Sequence, residues 1–147
     1  QQYDALTALP NRTLFQAQLE QKLWHLYHHT QPEDGTLAVL LLDLDNFASL
    51  NHNLGQHQGD HLLRQVAQRL STEPHANALL SRVGGDEFAL LCEGYPDLTA
   101  LIAHAKSILA ALAPPFLLAG RAHHITASLG IATVTGQQES AIRCSSS

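Results

Sequence analysis

The sequence is poor in the residues that mark several classes of protein. Among its 147 residues there is no methionine, and there are only two cysteines and two lysines. Cys92 and Cys144 form neither a disulfide framework nor the spacing of a metal site, so a reducing cytosol is the expected compartment. The few lysines and a formal net charge of −5 argue against a surface that binds nucleic acid.

Long apolar runs and targeting signals are also missing. No stretch approaches the ~18 consecutive apolar residues of a membrane span, and the N-terminus has no signal-peptide pattern. The 45% hydrophobic content suffices for the core of one globular domain. Because the chain starts at Gln1 without methionine, we expect a segment of a longer protein. The expected location is the cytoplasm, including the cytoplasmic part of a membrane-anchored parent.

What the chain does have is an acidic turn between two strand-like segments. Residues 82–88 read RVGGDEF, and apolar residues flank them on both sides. Two glycines permit a tight turn and a close approach to the backbone. The adjacent carboxylates of Asp86 and Glu87 repel each other and fill no core, but they suit a divalent cation that binds phosphates. Taken alone, this feature is explained more simply as an ordinary acidic hairpin turn.

Hydrophobic periodicity predicts alternating helices and strands. The predicted elements are a helix capped by Asn11, a strand at 37–42, a helix at 59–70, a hairpin at 78–92, a helix at 98–112, and strands at 116–118 and 123–134 turned at Gly120. This order predicts an α+β fold with a mixed central sheet flanked by helices. We divide the chain into a domain of residues 1–135 and a polar tail, residues 136–147, in which we expect little order.

A second acidic point follows the first buried strand. Residues 37–42 form a continuous apolar run, and Asp43 and Asp45 stand at its end. If this strand and the hairpin are neighbours in one sheet, Asp43, Asp86 and Glu87 converge at one edge, where ligands commonly bind. Strand-end caps are the ordinary alternative for the two aspartates. Both acidic points together, in a chain without a phosphate-binding P-loop, favour a metal site.

Five ordered blocks resemble the GGDEF domain of diguanylate cyclases. They are residues 4–12 (DALTALPNR), 43–47 (DLDNF) with Asn51, 59–60 (GD), 82–88 (RVGGDEF) and 128–132 (SLGIA). The resemblance implies a sheet related to the palm of nucleotide cyclases and polymerases. It also implies that two GTP molecules condense to cyclic di-GMP and pyrophosphate between two facing domains, as in a homodimer. A sensory domain or an EAL-type phosphodiesterase domain is expected in the same parent chain.

The resemblance also assigns roles to individual residues. It implies that Mg²⁺ or Mn²⁺ is held by the carboxylates of Asp43 and Asp86 and by the main-chain carbonyl of Leu44. Asp86 and Glu87 are the catalytic positions, with Glu87 in proton transfer or charge stabilisation. The implied substrate-binding positions are Asn46, Phe47, Ala48, Asn51, Gln56, Asp60, Gly84 and Gly85. Of these, Asn51 and Asp60 match the guanine-reading positions, and the turn from Asn46 to Ala48 would offer backbone N–H groups to the phosphates.

Several of these residues have simpler explanations. Without the motif context, Asn51 is more readily a helix C-cap and Asp60 a helix N-cap. Arg82 could pair with an acid and brace the hairpin instead of contacting substrate. The ten histidines include helically spaced groups, but no cysteine or carboxylate completes a zinc site with them.

The chain also departs from the family pattern. Ala48 stands where lysine is usual, His52 where aspartate is usual, and Gln56 where histidine is usual. The family's final helix and basic phosphate-binding turn have no counterpart, because residues 140–144 read SAIRC, and a product-binding Arg-x-x-Asp is replaced by HANA at residues 75–78. We therefore expect either a shortened segment or weak GTP binding. The alternative function is a weakly active or inactive GTP-binding, dimerising module that regulates an attached cyclic di-GMP phosphodiesterase.

Overall fold

Helices and strands alternate along the chain in a computed structural model that describes residues 1–29, 36–73, 78–134 and 139–145. The helices are α1 (Arg12–His29), α2 (Phe47–Leu54), α3 (Gln56–Thr72) and α4 (Leu98–Ala111). The strands are β1 (Thr36–Leu44), β2 (Ala78–Arg82), β3 (Glu87–Tyr95), β4 (Phe116–Leu118), β5 (Arg121–His123), β6 (Ala127–Val134) and β7 (Glu139–Ser145). No helix in these ranges combines the length and apolarity that crossing a membrane requires.

Five of the strands form one sheet in the order β2-β3-β1-β6-β7. The α+β class is therefore confirmed, but the sheet is not mixed, because each of its four pairings is antiparallel. The reason is that β3 turns back from β2 in a hairpin before it pairs with β1. β4 and β5 form a separate two-stranded hairpin.

β1 lies at the centre of the sheet because its apolar run packs on both faces. Leu40 and Leu42 belong to the larger core cluster, which also contains buried residues of α3 and α4. Leu37 belongs to a second cluster on the other face, which also includes Phe15 and Leu26 of α1. Since side chains alternate along a strand, the two clusters lie on opposite faces of the sheet.

The predicted cap at Asn11 is confirmed, and the structure adds a second side-chain cap at Asp97. Leu14 N–H donates to Asn11 Oδ1 at 3.1 Å, directly before the first turn of α1. Ala100 N–H donates to Asp97 Oδ1 at 2.9 Å at the start of α4. These side chains satisfy backbone donors that have no partner within the helix.

A cationic clamp joins α3 to the end of α4. Arg69 donates to the carbonyl oxygens of Pro114 and Pro115, each at 2.6 Å. Its guanidinium carbon also lies 3.6 Å from the ring centroid of Phe116, which is fully buried. The last carbonyls after α4 thus find donors in a neighbouring helix, which suits the negative end of a helix.

Two predicted elements differ in extent. Helix α2 was missed, because its sequence FASLNHNL is short and rich in poor helix formers. The predicted strand at 123–134 is divided, since residues 124–126 interrupt it and leave β5 and β6. The predicted turn at Gly120 is confirmed: Ala119 and Gly120 both have positive φ, 52° and 77°, as a tight hairpin turn of the primed type requires.

The expectation of little order in the polar tail is wrong for residues 139–145. They form β7, which pairs with β6 from Val134↔Glu139 to Ser128↔Ser145. Backbone pairing needs no apolar side-chain pattern, and it supplies partners to the N–H and C=O groups of β6 that would otherwise form an open edge. Residues 136–138 and 146–147 of that tail lie outside the described residues.

Candidate active site at the sheet edge

The two acidic points of the sequence meet where β1 ends beside β3. Asp43 is directly opposite Glu87 in the β1–β3 register. One residue further on, Leu44 N–H donates to the backbone oxygen of Asp86 at 3.2 Å. Leu42 and Leu44 are buried in the larger cluster, so Asp43 between them projects from the opposite face of the sheet. The carboxylates of Asp43, Asp86 and Glu87 thus share one corner of the sheet.

The electrostatics of this corner are unfavourable for an unliganded protein. Partial burial, followed by the charges of Asp86 and Glu87, raises the pKa of Asp43. A hydrogen bond with the Asp86 side chain and the charge of Asp45 act in the same direction. The neighbouring negative charges destabilise the ionised form of Asp43. A bound cation would stabilise that form and lower the pKa again.

The two glycines of the hairpin differ in their surroundings. A Cβ at Gly84 would overlap the carboxylate of Glu87, which folds back over this position. At Gly85 a Cβ would have no neighbour within 4 Å. The turn is closed by Val83 N–H, which donates to the Glu87 carbonyl at 3.0 Å. Gly84 therefore makes room for Glu87, while Gly85 leaves the tip open to a ligand.

Arg82 braces this hairpin, which confirms the structural alternative for that residue. Its guanidinium donates to the Gly85 carbonyl at 2.7 and 3.2 Å. Its Nη1 atom also forms an ion pair with both carboxylate oxygens of Asp4, at 3.0 and 3.1 Å, and Asp4 accepts from the N–H and hydroxyl of Thr7. The N-terminal block of the sequence thus anchors the acidic turn through a charge-assisted contact.

The turn from β1 into α2 is held by a network that the sequence did not reveal. Asp45 accepts from the hydroxyls of Thr126 at 2.8 Å and Ser128 at 3.0 Å, and its N–H donates to the Thr126 carbonyl. Asn46 follows with φ of 60°, a left-handed conformation that asparagine tolerates better than most residues. The sequence signal for this network was the pair of hydroxyl residues, Thr126 and Ser128, on either side of the first residue of β6.

The first turn of α2 leaves backbone donors without acceptors. The first hydrogen bond of this helix runs from Leu50 N–H to the Asn46 carbonyl at 3.0 Å, and no side chain caps the helix. The N–H groups of Phe47, Ala48 and Ser49 therefore precede the helical ladder. Phe47 packs partly against the core, while Ala48 is exposed. Such a helix start can accept an anion.

Asn51 and Asp60 are not helix caps, so the simpler explanation for these two residues is wrong. Gly55 is both the C-cap of α2 and the N-cap of α3, whereas Asn51 and Asp60 lie within the helices. The Oδ1 atom of Asn51 is buried and has no hydrogen-bond partner among the described residues. It packs so closely on Gly59 that any Cβ there would overlap it. Gln56 is exposed at the start of α3.

The donor set at the corner suits a hard divalent cation only in part. Within the described ranges, no group of three or more His, Cys, Asp or Glu side chains is arranged to hold a metal ion. Asp43 and Asp86 offer two carboxylates, and Leu44 offers a carbonyl. Oxygen ligands of this kind fit Mg²⁺, which usually takes one or two carboxylates and completes its shell with water and substrate phosphates.

Comparison with known proteins identifies the family. The family model described as diguanylate cyclase, GGDEF domain, matches residues 1–145. The chain belongs to the GGDEF domain family. The GGDEF domain of TpbB (YfiN) from Pseudomonas aeruginosa superposes with a TM-score of 0.80 at 33% identity, covering 89% of this chain and 74% of that one. The palm-like cyclase fold expected from the sequence is therefore confirmed.

Two curated relatives carry this GGDEF domain within much longer proteins. MucR of Pseudomonas aeruginosa, a bifunctional diguanylate cyclase/cyclic di-GMP phosphodiesterase, is 37% identical over 134 residues, which are 91% of this chain and 19% of MucR. NbdA of the same organism, a cyclic di-GMP phosphodiesterase, is 35% identical over 129 residues, which are 88% of this chain and 16% of NbdA. The chain thus spans less than a fifth of the length of either relative.

Proposed function

We propose that this GGDEF domain binds GTP with Mg²⁺ or Mn²⁺ and joins two GTP molecules into cyclic di-GMP when two copies face each other. The observation that carries the proposal is the corner at which Asp43 is paired with Glu87 and tied to Asp86 through Leu44. Burial and the neighbouring charges of Asp86 and Glu87 raise the pKa of Asp43, and such a cluster of carboxylates has little structural use without a cation. The family of the chain gives this corner its chemistry.

In this proposal the chain's residues divide the work of binding and reaction. Asp43, Asp86 and the Leu44 carbonyl hold the cation, which supplies charge neutralisation for the phosphates when bound. The open N–H groups at the start of α2 donate to phosphate oxygens. Glu87 lies beside the reacting centre, where it accepts or stabilises the proton of the attacking 3′-hydroxyl. Gly84 and Gly85 leave room for the substrate at the hairpin tip.

Asn51 and Asp60 would select guanine. The Asn51 Oδ1 atom is buried and lacks a partner, so a ligand donor that reaches it removes a desolvation cost. The Asp60 carboxylate can accept from the N1–H and N2–H₂ edge of guanine, which adenine does not present. Gln56 stands at the exposed start of α3 and completes the proposed substrate-binding set.

The direct test measures cyclic di-GMP by chromatography after incubation with GTP and Mg²⁺. Because the reaction needs two loaded domains face to face, the domain is fused to a parallel two-stranded coiled coil that raises the effective concentration. Glu87→Gln should reduce turnover by about 100-fold or more. Glu93→Gln is the matched control: it lies on the same strand and face, in a surface ion pair with Lys22 at 2.8 Å, and should leave turnover unchanged.

A second function is a GTP-binding regulatory module that acts on an attached phosphodiesterase domain in a larger cytoplasmic signalling protein. Two observations favour it. Ala48, His52 and Gln56 depart from the family pattern. NbdA, a phosphodiesterase, carries a similar domain. The same assay separates the two functions. Binding of GTP without turnover in the tethered dimer would establish the module, whereas turnover lost in Glu87→Gln would establish the cyclase.

A further inference from the structure

A second recess lies on the other side of α2 from Asn51. It is a groove of about 290 Å³ between α2 and residues 123–126, which are the last residue of β5 and the connection from β5 to β6. Ser49, Leu50 and Asn53 line it, and they share one face of the helix because they are three or four residues apart. Asn51 instead contacts Gly59 of α3. The groove is therefore distinct from the proposed guanine pocket.

The groove is also separate from the acidic corner. Asp43 projects from the sheet face opposite to that of Leu42 and Leu44, as the alternation along β1 requires. Leu50 and Ile125, which line the groove, pack against the core cluster that contains Leu42 and Leu44. A ligand in the groove would thus lie on the α3–α4 side of the sheet, on the face opposite to the Asp43 carboxylate, with Asp45 as the one carboxylate in the described lining.

The lining combines an apolar surface with unused hydrogen-bonding groups. Leu50 and Ile125 supply the apolar part. The Nε2 atom of His123 is buried and has no hydrogen-bond partner among the described residues, and the side chain of Asn46 does not cap α2. A buried polar atom without a partner costs free energy, so a ligand that bonds to it gains affinity. Apolar walls with a few convergent polar groups are typical of small-molecule sites.

The charge of the groove favours a neutral ligand. The described lining contains the Asp45 carboxylate and no lysine or arginine. A phosphate or carboxylate ligand would meet this negative charge, and the lining offers it no permanently cationic side chain, only the imidazoles of His123 and His124. The two Asp45 oxygens already accept hydrogen bonds from Thr126 and Ser128. These contacts hold the carboxylate in place and make it a poor ligand for a metal ion.

We propose that this groove binds a neutral nitrogen heterocycle of purine size, as a free base or a nucleoside. The flat ring lies against Leu50 and Ile125, and its nitrogen atoms exchange hydrogen bonds with the Asn53 amide and, once the imidazole turns toward the groove, with His123 Nε2. The volume is at the lower end of the roughly 300–1,000 Å³ of ligand sites, which suits one such ring system. The ligand also borders Asn46, so it restrains the start of α2.

The test is an NMR titration of the 147-residue domain with adenosine, without GTP or Mg²⁺. The ring resonances of His123 should shift saturably. Asn53→Leu, an exposed position, should weaken binding about fivefold by removing hydrogen bonds. His123→Phe keeps the ring shape, removes the unpartnered nitrogen, and should weaken binding without loss of folding. Gln21→Leu on the exposed surface of α1 is the control and should bind as the unaltered domain does.

Three outcomes would overturn the proposal. The first is the absence of any saturable shift up to about 10 mM adenosine, a range that covers even weak sites. The second is binding that Asn51→Ala abolishes and Asn53→Leu leaves intact, which would place the nucleoside in the Asn51–Asp60 pocket. The third is adenosine monophosphate binding as tightly as adenosine, which would exclude the preference for a neutral ligand.

Discussion

Two regions of the molecule, the contact between α3 and the end of α4 and the corner between β1 and the hairpin, differ in how fully their polar groups are paired. Where α3 meets the end of α4, Arg69 donates to consecutive carbonyls and stacks on Phe116, so that donors and acceptors are matched. Where β1 meets the hairpin, Asp43 faces other carboxylates, and no ion pair to it lies within the described residues. Asn51 Oδ1, in the contact between α2 and α3, is also buried and has no hydrogen-bond partner among the described residues. Polar groups without partners lower the stability of a fold, and they are expected where a bound ligand supplies the missing partners.

The largest expected effect comes from neutralising the acidic corner. Asp43→Asn should weaken binding of a GTP analogue with Mg²⁺ by about 100-fold or more, since a cation ligand is lost. The same change should raise the melting temperature of the metal-free protein by about 2 °C, because repulsion with Asp86 and Glu87 is removed. Calorimetry and thermal unfolding measure the two effects separately.

If the acidic corner is built for a ligand, Asp43→Asn should weaken ligand binding and at the same time stabilise the metal-free protein. Asp97→Asn is a suitable control, because that aspartate caps α4 far from the corner and should leave binding unchanged. Unchanged binding in Asp43→Asn would refute the metal assignment. A lower melting temperature would show that Asp43 is satisfied within the protein.

The close contact between α2 and α3 can be tested by filling it. Gly59→Ala should cost about 1–3 kcal/mol of the free energy of unfolding, because the new methyl group overlaps the Asn51 side chain. In an Asn51→Ala background the same change should be neutral or stabilising, since alanine is the better helix former. Urea unfolding of the four proteins gives the coupling free energy directly.

Gly85→Ala is the control for this cycle, because nothing lies within 4 Å of a Cβ at that position. Its free energy of unfolding should change by less than about 0.5 kcal/mol. Equal costs of Gly59→Ala in both backgrounds would mean that Asn51 does not fill the space beside Gly59. That result would also weaken the proposed role of Asn51 as a reader of guanine.

At the matched end, the Arg69 clamp should contribute to stability alone. Arg69→Ala should lower the free energy of unfolding by about 1–2 kcal/mol, because the carbonyls of Pro114 and Pro115 lose charged donors and Phe116 loses its cation–π contact. Arg69→Lys should recover less than half of this, since lysine cannot bridge two carbonyls in a fork. Arg64→Ala, at an exposed position of the same helix, serves as the control. If Arg69→Ala lost GTP binding without losing stability, the assignment of Arg69 to stability alone would be wrong.

The sequence predicted the core of the fold because those elements have strong local signals. β1 is apolar on both faces, and α1 and α4 carry capping residues directly before their first turns. α2 was missed because its apolar period, Phe47, Leu50 and Leu54, spans only two turns, and β7 was missed because residues 139–145 have no regular apolar alternation. The first is a short helix in which no residue is fully buried, and the second is paired with the backbone of β6. Tertiary context overrides local propensity in such segments.

The candidate site was predicted in part for a related reason. Motif order brought Asp43, Asp86 and Glu87 together correctly, while their roles in binding and catalysis stay predictions. The supports of the site span the chain: Arg82 and Asp4 are 78 residues apart, and Asp45 and Thr126 are 81 apart. A single sequence carries no local pattern for such contacts, so only the fold reveals them.

The smallest expected effect concerns the pH dependence of the Asp4–Arg82 brace. Although burial opposes it, hydrogen bonds from Thr7 and Arg82 lower the pKa of Asp4 below its usual value of 3.8. Because the folded pKa is the lower one, the ionised carboxylate stabilises the fold above pH 3.8, and this contribution is lost as the pH falls through the folded pKa.

Asp4→Asn should therefore destabilise the domain by about 1 kcal/mol at pH 7 and by less at pH 3. Urea unfolding between these two pH values measures it. Glu93→Gln is the control, because its exposed ion pair with Lys22 should contribute little at either pH. A deficit of Asp4→Asn that is the same at pH 7 and pH 3 would show that the brace acts through shape alone. A deficit confined to high pH would establish it as the charged link between the N-terminal turn and the acidic hairpin.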